Sequence, residues 1–222
     1  MFIEFMLEQF SEHAECDAIV WKGQTYSYEW LSIRVAHWQT FLKINGVVSG
    51  AVVALEADFS PNAVALFLAL AEAGCVLVPL TSAVAAHREE FIETSEAEVS
   101  IAIDRNDEVA INHLEVQAEH EIFGKLRNAG HPGLVIFSSG STGRCKAAVH
   151  DLVPLFEKFK TQRHALRTIS FLLYDHIGGI NTMLYTLSNG GCLVTVQDRS
   201  PDAVLATVEK HQVELLPTSP TF

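Results

Sequence analysis

Cysteine is scarce in this 222-residue chain: Cys16, Cys75, Cys145 and Cys192 stand far apart, with no CxxC pair. That excludes a small disulfide scaffold and a thiolate zinc ribbon, and leaves core and loop thiols of a reducing compartment. Positive charge is short as well. Fifteen Lys and Arg face 27 Asp and Glu, a formal net of −12, which argues against nucleic-acid binding and against adsorption to anionic membranes. No apolar run has the length of a membrane span, because the longest, residues 63–80, is broken by Glu72, Gly74 and Pro79. The opening MFIEFMLEQF carries Glu4 and Glu8 and no basic region, so it reads as an amphipathic first helix and not as a signal peptide. These absences predict a cytoplasmic protein with neither membrane nor nucleic acid as partner. With 49% apolar and 19% charged residues the chain is neither disordered nor fibrous, and it is long enough for one large domain or two small ones.

What is present alternates between strand and helix patterns. Residues 18–21 and 24–26 flank Lys22-Gly23 and predict a hairpin. Ser27 stands where an N-cap belongs, and Leu31, Val35, Trp38 and Leu42 follow at helical spacing until Asn45-Gly46. A β-branched run at 52–55 leads to Ser60-Pro61, an N-cap with Pro at the first helical position, and a helix over 63–73 that ends on Gly74. Further strands are predicted at 75–80, 134–137, 147–150, 169–174, 192–196 and 213–216, with helices from about Asn181 and from Ser200-Pro201. SPNAV and SPDAV are one helix-start chemistry used twice, since their surroundings do not match. The alternation predicts an α/β fold of largely parallel sheets covered by helices, its nearest seam being the polar stretch 105–133.

Charge is uneven along the chain. Residues 85–121 hold eleven acids and two bases, whereas residues 138–167 hold six bases and two acids. Lys158, Lys160, Arg163 and Arg167 fit a solvated helix face. Arg144 and Lys146 do not, because they sit in a loop rich in Gly and Ser. In that loop the apolar run LVIF (134–137) is followed by Ser138-Ser139-Gly140-Ser141-Thr142-Gly143, then Arg144-Cys145-Lys146 and a second strand-like run. Small residues offer almost no apolar area to pack. They can present successive backbone N–H groups and hydroxyls to one ligand, and a following Lys adds an ammonium. This describes a polyphosphate cradle, with a plain Ser/Gly loop as the alternative. The spacing GxxxxGK[ST] and the elbow GxSxG are both absent, so neither a common P-loop nor a serine-hydrolase nucleophile at Ser141 is supported.

The run SSGSTGRCK resembles the signature loop S/T-S/T-G-S/T-T-G-x-P-K of the AMP-forming adenylating enzymes, which include acyl- and aryl-CoA synthetases, luciferases and peptide-synthetase adenylation domains. It departs from that pattern only at Cys145, where Pro is usual. The stretch SPNAVALFLALAEAGCVLVPL, the Asp175-His176-Ile177-Gly178-Gly179 turn and LLPTSPTF (215–222) extend the likeness over essentially the whole chain. The resemblance implies that Ser138, Ser139, Gly140, Ser141, Thr142, Gly143 and Lys146 bind the phosphates of ATP, and that His176, with Asp175 beside it, touches the adenylate as a catalytic residue. It further implies Mg²⁺ with its ligand outside this chain, a small-molecule carboxylic acid as substrate, and CoA or a carrier-protein thiol as acceptor. Residues 1–130 would form a first α/β subdomain. Residues 131–222 would carry the phosphate loop and the start of a second, with the C-terminal domain absent.

Family members are more than twice as long, so this chain is expected to be an N-terminal portion, nearly inactive by itself and open to self-association. A non-catalytic nucleotide-binding or assembly module of the same fold is the alternative. No metal site is expected of His113, His120 and His131, whose spacing fits no ligand signature. His211 and Glu214 read as surface residues, and Trp21, Trp30 and Trp38 as residues of core packing or of interfaces.

Overall fold

The computed structural model describes residues 1–138 and 145–218. Helix α1 (Glu4–Glu12) precedes a hairpin of β1 (Asp17–Trp21) and β2 (Gln24–Ser27). Lys22 and Gly23 both have positive φ, 50° and 79°, the geometry of a two-residue turn whose twist matches the flanking strands. Helix α2 (Tyr28–Ile44) starts on Ser27, whose Oγ accepts from the Trp30 amide at 3.2 Å. Helix α3 (Pro61–Glu72) starts on Ser60 in the same way, with the Ala63 amide at 3.1 Å. Around α3 lie β3 (Val52–Glu56) and β4 (Val76–Leu80). A 3₁₀ turn (Ser82–His87), α4 (Arg88–Thr94), β5 (Val99–Ile103), β6 (Val109–His113) and α5 (Glu121–Ala129) follow. The remainder comprises β7 (Gly133–Ser138), β8 (Lys146–Asp151), α6 (Leu152–Glu157), β9 (Arg167–Ile169), α7 (Ile177–Ser188), β10 (Cys192–Val194) and α8 (Pro201–His211).

The strands form two sheets, ordered β6-β5-β3-β4-β7-β8 and β2-β1-β10-β9. In the larger sheet β5, β3, β4 and β7 run parallel, while β6 and β8 are antiparallel edges. In the smaller, β1, β10 and β9 are parallel and β2 is the antiparallel edge. The pairing crosses the boundary expected at 130–131, since β7 and β8 join the earlier strands and β1 pairs with β10 through Ile19 and Leu193. Parallel strands need both faces covered, and alternate residues of β3 and β4 go to opposite sides. Val53, Leu55 and Leu77 pack with α2, α3 and α7, whereas Val52, Ala54, Val76 and Val78 pack with Phe91, Phe123 and Leu126. Each fully buried large side chain contributes about 1.5–3 kcal/mol.

Four expectations are corrected. The strand predicted at 169–174 ends at Ile169, and α7 begins at Ile177 instead of near Asn181. The chain turns early because Tyr174 drops into the core and donates its hydroxyl to the Ala63 carbonyl at 2.8 Å. The first turn of α7 then lies against residues 172–173, where a Cβ on Gly179 would sit 1.9 Å from the Leu173 carbonyl oxygen. The strand predicted at 213–216 reduces to one bridge between Leu215 and Thr168. Lys158, Lys160, Arg163 and Arg167 do not share a helix face, because α6 stops at Glu157 and Arg167 is a strand residue paired with Asp17 at 2.9 Å.

Candidate active site

The connections after β3 and β4 leave the sheet on opposite faces, to α3 on one side and to the 3₁₀ turn and α4 on the other. Divergence of this kind opens a crevice beyond the carboxyl ends of the strands. Two clefts lie there. One, about 370 Å³, is lined by Glu56, Asp58, Thr81, Ser82, Arg88 and Asp104 among others. The second, about 390 Å³, includes Leu80, Phe91, Phe137, Cys145, Asp175 and His176. Leu80 and Val84 line both, so the segment after β4 is their shared wall.

The second cleft gathers most of the described residues singled out in the sequence. Ser138 and Lys146 face each other as the last paired residues of the β7–β8 hairpin, and Ser138 lines the cleft. Lys146 is exposed. Ser139, Gly140, Ser141, Thr142 and Gly143 lie outside the described residues. Cys145 packs on the cluster that holds Phe91, and the Phe91 and Phe137 rings stack 3.9 Å apart at 5°. The Asp175-His176 pair arrives from the other side, at the start of α7.

Asp175 is 7% exposed, while the His176 side chain is 60% exposed with Nε2 3.8 Å from Asp175 Oδ1. Asp175 Oδ2 accepts from both the amide and the hydroxyl of Thr81, at 3.2 and 2.7 Å. Asp58 holds the next residue in the same manner, with the Ser82 amide at 3.4 Å and its hydroxyl at 2.7 Å. Arg199 donates to the Phe171 carbonyl at 2.7 Å; burial pushes its guanidinium down and the charges of Asp58 and Asp175 pull it back up. Sequence reasoning missed Thr81, Asp58, Phe91 and Arg199. No local signal marks them, since their roles come from contacts made across the fold.

Among the described residues no group of three or more His, Cys, Asp or Glu is placed to hold a metal ion. His113 bonds the Asn45 carbonyl at 2.8 Å, His120 caps α5 by accepting from the Ile122 amide at 3.3 Å, and His131 pairs with Asp151 at 2.8 Å. All four cysteines are free. No helix among the described residues is long and apolar enough to cross a membrane.

Comparison with known proteins agrees with this architecture. The nonribosomal peptide synthetase asqK of Emericella nidulans is 31% identical over 206 residues, covering 81% of this chain and 8% of that protein. The hybrid PKS-NRPS synthetase gkaA of Penicillium citrinum is 24% identical over 193 residues, covering 79% of this chain and 5% of that protein. The chain thus spans less than a tenth of either relative's length. Among solved structures, the N-terminal subdomain of Klebsiella oxytoca NpsA in complex with 3-hydroxyanthranilyl-AMSN superposes with a TM-score of 0.74 at 18% identity, covering 96% of this chain and 58% of that one. NpsA-ThdA, an artificially fused adenylation-PCP di-domain from the same organism, gives 0.74 at 18%, covering 96% and 46%. At such identity these two establish the fold alone. The family model described as AMP-binding enzyme matches residues 7–222, and the chain therefore belongs to the AMP-binding enzyme family.

Proposed function

We propose that this chain is the N-terminal part of an ATP-dependent enzyme that activates a small carboxylic acid and passes the acyl group to a thiol. A carboxylate oxygen attacks the α-phosphorus of ATP, the bond to pyrophosphate breaks, and acyl-AMP forms. The acceptor sulfur then displaces AMP at the acyl carbon. The observation that supports the reading is the meeting at one cleft of Ser138, whose pairing partner across the β7–β8 hairpin is Lys146, with Asp175 and His176. Lys146 and the run 138–143 would hold the departing pyrophosphate, where charge-assisted hydrogen bonds contribute roughly 1.5–3 kcal/mol each. His176, exposed at the cleft, would contact the adenylate. Mg²⁺ would neutralise phosphate charge.

A carrier-protein thiol is favoured over CoA as acceptor, because the curated relatives are peptide synthetases and one solved neighbour is an adenylation-PCP fusion. Acid-dependent exchange of labelled pyrophosphate into ATP, together with calorimetric binding of ATP, tests the reading. Exchange supports the enzyme and binding without exchange the non-catalytic module; neither binding nor exchange sinks both.

A further inference from the structure

Asp175 has two carboxylate oxygens in different circumstances. Oδ2 is saturated by the two Thr81 donors. Oδ1 is sealed from solvent and has no hydrogen-bond partner among the described residues. A buried acceptor left without a donor is unfavourable, and more so when it carries charge. Among the described residues the nearest ionisable nitrogen is His176 Nε2, at 3.8 Å. Its ring is largely exposed and makes no hydrogen bond among the described residues, so it is free to turn. The His176 backbone is not free: its amide donates to the Leu173 carbonyl at 3.2 Å, and its own carbonyl accepts from the Ile180 amide at 3.1 Å. An approach of about 1 Å would bring Nε2 within hydrogen-bond range.

We propose that Asp175 is a positioning residue that, held by Thr81, takes the Nε2–H of His176 on its free oxygen and so fixes the orientation and tautomer of the imidazole at the cleft. The proposal rests on the adenylating function above, for which His176 is the candidate catalytic group. Thr81 sets the direction of the carboxylate, the carboxylate sets the ring, and Nδ1 is left as the bare nitrogen available to a ligand. The wall segment after β4 and the start of α7 thereby act on the same imidazole.

The test is long-range ¹H–¹⁵N correlation of the ¹⁵N-labelled 222-residue chain in mildly alkaline buffer. His176 is identified among the ten histidines by loss of its signals in His176→Gln. The expected result is an Nε2–H tautomer in the wild type and its shift to Nδ1–H in Asp175→Asn, whose amide can turn its NH₂ towards Nε2. Signals of the other nine histidines should stay in place, which shows that the variant is folded. A purely structural Asp175 would leave the tautomer unmoved. An Nδ1–H tautomer in the wild type, or the same tautomer in wild type and Asp175→Asn, overturns the proposal. Should Asp175→Asn fail to fold, the wild-type tautomer decides. The spectrum needs no turnover, so absent ATP binding and exchange would defeat the adenylating reading alone.

Discussion

Thr81 and Asp175 lie 94 positions apart and are joined twice, by the Thr81 amide at 3.2 Å and its hydroxyl at 2.7 Å, both to Oδ2 of a buried carboxylate. Replacing Thr81 with Val keeps the branched shape and removes the hydroxyl. The amide bond remains, so the expected loss is about 1–2 kcal/mol, at the lower end for a buried acceptor that loses a donor. Urea titration should show a lower midpoint at unchanged slope. An unchanged midpoint would show that the hydroxyl contributes nothing.

Lys146 is exposed at the hairpin end, so Lys146→Ala should leave stability within about 0.5 kcal/mol. Loss of one charge-assisted contact to phosphate should weaken ATP binding roughly 10- to 100-fold. Calorimetry on the two proteins reads this directly, and equal affinities would remove Lys146 from the phosphate site.

The cysteines divide by burial. Desolvation pushes the Cys75 thiol up to about 12 and the Cys192 thiol up to about 11, so both are almost wholly protonated and unreactive near neutral pH. Cys16 is exposed and Cys145 partly so. Brief alkylation of the native chain, read by peptide mass, should label Cys16 and Cys145 only. ATP should protect Cys145 and leave Cys16 unaffected. Labelling of Cys145 at the same rate with and without ATP would count against a nucleotide site at that cleft.

Glu56 gives a pH dependence. Burial alone would raise its carboxyl, but hydrogen bonds from Arg88 and Ser100 and the Arg88 charge outweigh that and hold it below the ordinary glutamate value. Its stabilisation is therefore fully present above the unfolded pKa and lost as pH falls through the lower, folded one. Because Arg88 is 44% exposed, the pair is worth no more than about 1 kcal/mol. Glu56→Gln should cost stability at pH 7 and progressively less below about pH 4. A cost that does not change with pH would assign the effect to packing.

Local chemistry made much of the fold readable. The Ser27 and Ser60 caps, Pro61 at the first helical position, the Lys22-Gly23 turn and the β7–β8 strands flanking the Ser/Gly run all rest on residues within a few positions of one another, and each appears where expected. The segment after Ile169 was misread because its apolar residues are buried by tertiary contact and not by strand pairing: Tyr174 reaches Ala63, and Gly179 lets α7 start close against Leu173. The four basic residues after Glu157 were misread for a similar reason, since Arg167 is claimed by Asp17 from the first strand.

Sequence alone determined the family resemblance, the phosphate-loop candidates and the alternation of helices and strands, because motif spacing and capping act over short distances along the chain. Only the tertiary structure decided that Thr81 grips Asp175, that Asp58 grips Ser82, and that Phe91 stacks on Phe137 at the same cleft as His176. Those partners come from separate strands and loops. They meet because the crossovers after β3 and β4 diverge to opposite faces of one sheet, a property of topology that no short stretch of residues encodes.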